Sequence, residues 1–509
     1  MRFSHRLASG VLCVAVFVAP GALAQQPCHP EPLDSARGAR REGATCRSGA
    51  LTLADAVNLA QKQGLSAQAS REALAAARAH DRAFSARLMP QVSLDATGAN
   101  YNHSIINAID ANTGATQFVS QSRSESQAGI VISQALPWFG STLSVGSYID
   151  RVDQSGSLSQ RTYVSRPFQI SLSQDLFKPR TRLWEARAQD IRASLAERQY
   201  LESREDAALN TSSAFFDYYA ANVALRNALA NAAVNDTLYT LNKGRFEVGK
   251  IGENELLQSE LQLLRARASV DGAKLERDHT ESALRRLINA RSKDTLEIVP
   301  PQNVPTVDVD PELAVQQALK NASVMEQAAL DSVNARRFAT QARLGNGFGA
   351  TVHASYGTNQ TSSLFGLAYA SPLPQQTFSM SVSMPVFQWG GGRADVEEAR
   401  ANQAQVASNA RARHEQLVED ARYAALQLTQ SQRMLLIAAK ADTVAQKRFE
   451  VAKNRYVIGK IGVSDLYIAQ NEKDQALESY VQALRNYWTN YYRLRRVTLY
   501  DFVEKSELQ

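Results

Sequence analysis

The chain repeats itself at a fixed sequence offset of 210 (453 minus 243). Residues 243–252 read KGRFEVGKIG and residues 453–462 read KNRYVIGKIG, and the segments that end at Phe177 and Phe387 are also alike. The spacing from this phenylalanine to the first glycine of GKIG is identical in the two copies (177 to 249 and 387 to 459). Loops accept insertions at little cost, whereas one extra residue in a packed helix turns its apolar face by about 100°. The constant spacing therefore indicates packed helices between these landmarks.

The segment between the landmarks has the composition of a long helix. Residues 181–246 contain no proline and a single glycine, Gly244, and they are rich in Ala, Leu, Arg, Glu and Gln, which favour helices. About 66 residues at 1.5 Å each give a helix of about 100 Å. The GKIG sequence then predicts a turn, and residues 253–290 are predicted to return as a second helix. The second half repeats this plan, with helices predicted over 393–456 and 463–500.

Each half also carries alternating segments behind a shorter helix. Helices are predicted over 52–88 and 311–343, and beyond them apolar and polar residues exchange every second position, which is the period of a strand. The stretches are about ten residues long, as a tilted membrane strand requires, although a half-buried sheet of a soluble protein has the same period. The alternating segments read QVSLDATGANY, ESQAGIVISQAL, STLSVGSYI and PFQISLSQDLF in the first half, and GFGATVHASYG and FSMSVSMPVFQ in the second.

The first residues have the pattern of a secretory signal peptide. Arg2 and Arg6 supply positive charge, residues 7–18 are mainly apolar, and Ala22-Leu23-Ala24 is a small-residue cleavage site. We therefore expect residues 1–24 to be removed on export. Beyond them no apolar run approaches the roughly 20 residues of a transmembrane helix. An exported chain of this kind that crosses a bilayer would have to do so as a closed β-barrel.

Two cysteines, Cys28 and Cys46, follow the predicted signal peptide. An oxidising compartment would allow them to form a disulfide. A local disulfide and two free thiols both stay open as interpretations.

Residues that could carry catalytic or ligand chemistry are scattered along the chain. None of the seven histidines forms an HExxH pair or a metal-binding spacing with cysteine. Gly390-Gly-Gly392 is followed by Arg393 instead of the Lys-Ser/Thr of a phosphate-binding loop. The formal net charge of +6 over 509 residues indicates a solvated surface and gives no support for nucleic-acid binding. We predict no enzyme activity, no metal and no cofactor.

In this order, and present twice, the landmarks resemble the outer-membrane efflux protein family, whose best-known member is TolC. The resemblance covers nearly all of the mature chain. It implies an α+β membrane protein with two structural repeats: a homotrimer whose protomers each give four strands to a 12-stranded β-barrel, continued by a long periplasmic α-helical barrel. The segments that carry the resemblance are LTLADAVNLAQKQ at 51–63, ARLMPQVSL at 86–94, RFEVGKIGENELL at 245–257, SMPVFQWGGGRADVEEARA at 383–401 and RYVIGKIGVSDLY at 455–467.

One part of the first half departs from this plan. Ala86-Arg87-Leu88 matches Ala342-Arg343-Leu344 at an offset of 256, so the first half carries 46 additional residues (256 minus 210) between about 90 and 170. These residues include Ala135-Leu-Pro-Trp-Phe-Gly140, which is similar to the ends of other strands. An added β-hairpin that turns at the periplasmic side and a long external loop both stay open. Trp138, Phe139, Phe387 and Trp389 are expected in an interfacial aromatic girdle.

The resulting organisation is a signal peptide (1–24), a flexible N-terminal segment (25–50), a first helix-strand-helix repeat (51–293), a linker (294–310), a second repeat (311–503) and a C-terminal tail (504–509). On the last helix, an aromatic stripe is predicted to pack against neighbouring helices; its members are Tyr480, Tyr487, Trp488, Tyr491 and Tyr492.

The resemblance also implies roles for residues at the periplasmic tip. Asp465 would face the pore axis as an acidic ring that favours cations, although Ile468 stands where a second acidic residue is expected. Glu255 is the first-copy equivalent and a latch candidate. Tyr456 matches a latch tyrosine whose expected arginine partner falls at Ile461. The simpler interpretation makes both carboxylates solvated charges at helix N-termini. The tip turns themselves are Gly249, Lys250, Ile251 and Gly252, and Gly459, Lys460, Ile461 and Gly462.

The function implied is that of an outer-membrane channel in a tripartite efflux or type I secretion system, which passively conducts small molecules or polypeptides. Its partners would be a periplasmic adaptor, an inner-membrane transporter that supplies the energy, and outer-membrane lipid, with no nucleic acid. The alternative is a soluble periplasmic coiled-coil scaffold or adaptor, which would have no need of an outward apolar band of strands.

Overall fold

The computed structural model of the protein describes residues 50–109, 114–156, 159–290, 296–301 and 304–508. The predicted signal peptide, nearly all of the 25–50 segment, and Cys28 and Cys46 lie outside the described residues. The first half contains β1 (Leu51–Thr52), α1 (Leu53–Gln63), α2 (Leu65–Arg87), β2 (Gln91–Ile109), β3 (Thr116–Leu136), β4 (Ser141–Gly156), β5 (Gln160–Leu176), α3 (Thr181–Glu247) and α4 (Glu253–Leu287). The rest of the chain contains β6 (Ile298–Val299), α5 (Pro311–Asn321), α6 (Ser323–Gly345), β7 (Gly349–Ser362), a 3-10 helix (Phe365–Tyr369), β8 (Leu373–Ser383), α7 (Gly391–Val457), α8 (Val463–Thr498), β9 (Tyr500–Asp501) and β10 (Ser506–Glu507).

The two long helices, α3 and α7, are equal in length and confirm the predicted pair of long rods. Each has 67 residues, and both of their ends are separated by the offset of the repeat (391 minus 181 and 457 minus 247). At 1.5 Å per residue each helix is about 100 Å long. The return helices α4 and α8 begin at Glu253 and Val463, which are separated by the same offset. Helix α3 packs along α4, α7 packs along α8, and α3 also contacts α8. Among the described residues, no helix is both long enough and apolar enough to cross a bilayer.

The shorter helices differ from the prediction, because each is interrupted. Gly64 separates α1 from α2 and Ala322 separates α5 from α6, both with extended backbone angles. The carbonyl groups released at these breaks accept hydrogen bonds from arginine side chains. Arg71 donates to the Lys62 carbonyl at 2.8 Å, and Arg198 donates to the Lys320 carbonyl at 2.7 Å. Continuous helices over 52–88 and 311–343 were therefore the wrong expectation.

The largest hydrophobic core surrounds the middle of α3 and the C-terminal half of α8. Phe215, Phe216 and Tyr218 of α3 and Tyr487 and Leu494 of α8 are buried there, together with residues of α1 and α5. The aromatic stripe of α8 belongs to this core, as predicted, since Tyr480, Tyr487, Trp488, Tyr491 and Tyr492 all contact it or lie in it.

A buried ion-pair network closes the same region. Arg495 of α8 binds Glu205 of α3 at 3.1 Å and Asp501 at 2.9 Å. Burial raises the pKa of the Glu205 carboxyl, and the Arg495 charge opposes that rise. The α3–α8 contact is thus fixed by charge as well as by apolar packing.

The strands form one six-stranded antiparallel sheet in the order β2-β3-β4-β5-β7-β8. The additional residues of the first half form the hairpin β3–β4, which resolves the open alternative in favour of an added hairpin. Its turn lies beside the start of α3, because Arg180 donates to the Trp138 carbonyl at 3.0 Å. The strands are longer than predicted, except that β8 ends at Ser383, before Pro385, whose nitrogen has no hydrogen to donate to a ladder.

Two small strand pairs complete the fold. β1 pairs with β6 in parallel, which ties the start of α1 to the segment between the halves. β9 pairs with β10 in an antiparallel turn at the C-terminal end.

Candidate functional site: the two-faced sheet and the helical turns

In its rows nearest the helices the sheet has one polar face and one apolar face, as the register of the strands shows. Residues paired across neighbouring strands point to the same side of a sheet. One row is polar on all six strands and consists of Gln91, Ser133, Ser144, Ser171, Ser355 and Thr377. The adjacent row, on the opposite face, is apolar on the first four strands and consists of Val92, Ile132, Val145, Ile170, Tyr356 and Gln376. Further apolar residues on that face include Leu94, Ile130, Leu172, Phe378 and Met380.

The apolar face is solvent-exposed in the single chain. Leu94 is 73% exposed and Phe378 is 72% exposed, although both lie in regular strands. A continuous exposed apolar band on a sheet requires an apolar neighbour. The arrangement suits strands that face lipid on one side and a water-filled lumen on the other.

The polar face carries charged groups that are paired with one another. Arg166 of β5 binds Asp150 of β4 at 2.7 Å and lies over the Tyr148 ring. Arg123 binds Glu125 on β3 at 3.2 Å. The other face also carries a charged group further along the strands, where Arg151 and Arg161 bind Asp153 at 2.7 and 2.6 Å, so that face is apolar mainly in the rows near the helices.

Aromatic residues gather where the strands meet the helices. Trp138 and Phe139 lie in the β3–β4 turn, and Phe387 and Trp389 lie between β8 and α7 with ring centroids 4.5 Å apart. All four are exposed. This is the end of the sheet at which the interfacial girdle was predicted.

At the other end of the long helices, the two GKIG turns have the same geometry. Gly249 has φ +71° and Gly459 has φ +73°, a conformation that glycine adopts without strain. The amide of Lys250 donates to the Arg245 carbonyl at 2.8 Å, and the amide of Lys460 donates to the Arg455 carbonyl at 2.9 Å. Together with the hydrogen bond that each glycine amide donates, these contacts form a Schellman motif at each helix end.

The return helices begin at glycines. Gly252 and Gly462 are the N-caps of α4 and α8 in extended conformation, with no side-chain cap, and Ile251 and Ile461 lie half-buried just before them. Glu255 and Asp465 lie in the first turns of these helices, where the helix dipole favours negative charge. Glu255 is half-buried and Asp465 is exposed. Within the described part of the chain, neither carboxylate has an ion-pair partner.

Tyr456, by contrast, is buried and held. Its hydroxyl donates to Oδ1 of Asn242 on α3 at 2.6 Å, and the Arg245 guanidinium lies over its ring at 5.2 Å. Arg245 also donates to the Val457 carbonyl at 3.3 Å. The arginine near Tyr456 thus comes from the first repeat, while Ile461 packs in the apolar cluster beside it.

Sequence reasoning missed Asn242 and Arg245. The repeat contained a signal, because at its constant offset Tyr456 corresponds to Phe246 and Asn242 corresponds to Ala452. The hydroxyl and its acceptor therefore occur once each, in different repeats. Only the combination of Tyr456 with Asn242 supplies both a donor and an acceptor, and this indicates a contact between the two repeats.

An apolar cluster also lies near the turns. Tyr456 packs with Leu238, Val463, Leu466 and Tyr467 in a second buried cluster. Burial raises the pKa of Tyr467 to about 12, and the neighbouring Tyr456 adds to that rise.

Further from the turns, a group of polar side chains joins α3 to α8. Asn227 and Asn231 of α3 donate to the Asp474 carboxylate at 2.8 and 2.7 Å. Lys473 donates to the side-chain oxygens of the same two asparagines at 3.0 and 3.3 Å. Within the described ranges, no group of three or more His, Cys, Asp or Glu residues is placed to hold a metal ion.

The sequence profile of the outer membrane efflux proteins matches residues 116–290 and 314–498, which is most of the chain and includes both long helix pairs. The chain belongs to the outer membrane efflux protein family. This membership makes it an outer-membrane channel protein that extends into the periplasm.

Solved structures with the same fold cover most of this efflux protein. The Campylobacter jejuni CmeC outer membrane channel is 16% identical over 88% of this chain and 85% of its own, with a TM-score of 0.63. VceC of Vibrio cholerae is 12% identical, covering 88% and 96%, with a TM-score of 0.61. The open state of the Neisseria gonorrhoeae MtrE channel is 15% identical, covering 88% of each chain, with a TM-score of 0.59. No curated protein matches the chain in sequence.

Proposed function

We propose that this chain is the outer-membrane channel of a tripartite efflux system. Three copies form a tube through which solutes pass passively, while an inner-membrane pump supplies the energy. The observation that carries the proposal is the equal length of α3 and α7, each 67 residues, with a lipid-compatible sheet at one end and a glycine turn at the other. Rods of about 100 Å suit a tunnel that projects far from a membrane.

Two neighbouring functions are less well supported. Type I secretion would use the same architecture, and we prefer efflux because the family whose profile matches is named for efflux proteins. A soluble periplasmic scaffold would not expose an apolar face across a six-stranded sheet, as Leu94 and Phe378 do here. We retain the boundaries 51–293 and 311–503 for the two repeats of the channel.

The GKIG turns are proposed as the closed periplasmic entrance. Asp465 of each copy would project towards the axis, since it is exposed and unpaired within the described part of the chain. Three such carboxylates would attract cations and repel anions. Glu255, which is half-buried at the equivalent position of the first repeat, is the weaker candidate for a gating contact.

Tyr456 is proposed as the latch that keeps the entrance closed. It joins α7 to α3 through Asn242 and Arg245, so that the α7–α8 pair cannot move outward from α3 without breaking a buried hydrogen bond. A periplasmic adaptor that docks on the turns would open the tube by separating these helices.

Cell fractionation and co-purification test the proposal. We expect a heat-modifiable trimer in the outer membrane, which brings down a periplasmic adaptor and an inner-membrane transporter after mild crosslinking. A transporter with a nucleotide-binding domain and a polypeptide cargo would favour secretion over efflux. A monomer in the soluble periplasmic fraction would contradict the channel.

A further inference from the structure

The added hairpin β3–β4 is a continuous part of the sheet. It pairs with β2 from Gln91↔Ser133 to Ile109↔Thr116, and with β5 from Ser141↔Gln174 to Gln154↔Gln160. Within the hairpin, β3 and β4 remain paired from Leu136↔Ser141 to Gln121↔Gly156. A hairpin that folded into the lumen as a plug, or outward as a free loop, would not hold these ladders on both sides.

The faces of the hairpin agree with those of its neighbours. Ile132 and Val145 lie in the apolar row between Val92 of β2 and Ile170 of β5. On the opposite face, Ser133 and Ser144 lie in the polar row. Because a one-residue slip would exchange the two faces, this agreement places the hairpin in the wall itself.

The two edges of the sheet need partners. Among the described residues, β2 and β8 pair on one side only. Unpaired backbone groups cannot remain exposed to lipid. β2 runs away from the helices and β8 runs back towards them, so β8 beside β2 of another copy is antiparallel, like every other pairing in the sheet. The occupant of each edge is therefore a second copy of this chain.

We infer that three copies close a barrel of 18 strands, three times the six of one chain, instead of the 12 that the family resemblance implied. The inference rests on the trimer proposed above. Barrel diameter grows roughly linearly with strand number, so this barrel is about one and a half times as wide as a 12-stranded one. Each copy contributes the same four long helices, α3, α4, α7 and α8. The added hairpin therefore increases the number of strands but not the number of helices. The wider barrel does not change the helical turns, which are proposed above as the closed entrance and hence as the narrowest point of the tube.

Conductance does not test this inference well, because the narrow entrance dominates the resistance. Lipid contact does test it. In a background with Cys28→Ser and Cys46→Ser, single cysteines replace Ile130 on β3 and Val145 on β4. Leu94→Cys on β2 and Met380→Cys on β8 serve as matched positions on the same face of the edge strands. Ser144→Cys reports the opposite face.

Each variant is labelled with a small fluorophore and reconstituted as a trimer in vesicles with brominated acyl chains. We expect the labels at 130 and 145 to lose fluorescence as strongly as those at 94 and 380, while the label at 144 keeps its fluorescence. Two hairpin positions keep the test usable if one variant does not assemble.

Two other outcomes are distinguishable. Unquenched hairpin labels with quenched labels at 94 and 380 would overturn the 18-stranded wall and leave the channel proposal intact. Unquenched labels at all of these positions would overturn the lipid-facing sheet, and with it the proposed function.

Discussion

The Tyr456 hydroxyl donates a 2.6 Å hydrogen bond to the Asn242 side chain, and this bond joins the long helix of the second repeat to that of the first. Both residues are buried, at 4% and 1% exposure. A short, buried hydrogen bond between two helices near their turns is well placed to control whether the tube is open. It also distinguishes two repeats whose long helices are alike in length and in turn geometry.

Replacing Tyr456 with phenylalanine should loosen the entrance. The Asn242 oxygen would lose its donor while remaining buried, at a cost of about 1 kcal/mol, or about a fivefold increase in the open population. Single-channel recordings should show longer or larger openings. Tyr423→Phe is the matched control, because Tyr423 lies on the same helix and is exposed. Equal recordings for the two variants would show that the Tyr456 hydroxyl does not hold the entrance closed.

Replacing Asp465 with asparagine should reduce cation selectivity. The change removes three negative charges from the proposed ring without changing side-chain size. The reversal potential in a salt gradient should move towards zero. Asp271→Asn removes the same charge from the exposed surface of α4 and should have no effect. An unchanged reversal potential in Asp465→Asn would support the solvated-charge interpretation.

Replacing either turn glycine with alanine should destabilise the trimer. Gly249 and Gly459 have positive φ, which costs an alanine about 1 kcal/mol or more. The two variants should lower the dissociation temperature of the trimer by similar amounts, because the two turns have the same geometry. Gly272→Ala should have the opposite sign, since Gly272 lies inside α4 with open space around it and alanine favours a helix. A lower dissociation temperature in Gly272→Ala would show that the assay does not report these local effects.

The aromatic core should make the protein sensitive to alkali. Burial raises the pKa of Tyr487 from 10.0 to about 12, and burial does the same for Tyr492. The raised folded pKa means that this stability is complete below pH 10 and is lost as the pH rises towards 12. The dissociation temperature should fall across this window, and less steeply in Tyr487→Phe. An equal slope in wild type and variant would show that ionisation of Tyr487 does not contribute to the loss of stability in alkali.

Much of the helical layout could be predicted from the sequence, because helix length and turn position are recorded locally and twice. Gly249 and Gly459 mark the turns, and the constant offset between the two copies fixes the length of both rods. The breaks at Gly64 and Ala322 were not predictable in this way. At each break an arginine, Arg71 or Arg198, donates a hydrogen bond to a released carbonyl, and helical periodicity in the sequence does not record such a contact.

For the strand number and the proposed latch, too, one part could be predicted from the sequence and the other part depends on contacts between distant segments. Alternation predicted the segments of the sheet, but it could not distinguish an added hairpin from an external loop, since that choice depends on pairing with β2 and β5. Tyr456 was singled out by its resemblance to a latch residue, and its role as a latch stays a prediction. Its partners, Asn242 and Arg245, lie in the other repeat and become visible only when α3 and α7 are side by side.

The central claim is that three copies of this chain enclose a continuous tube. The most direct test is to record the purified trimer in planar lipid bilayers. We expect discrete, cation-selective openings of small size in the wild type, which become larger or longer in Tyr456→Phe. Trimers that insert into the bilayer and conduct no ions, in the wild type and in the Tyr456→Phe variant alike, would contradict the account.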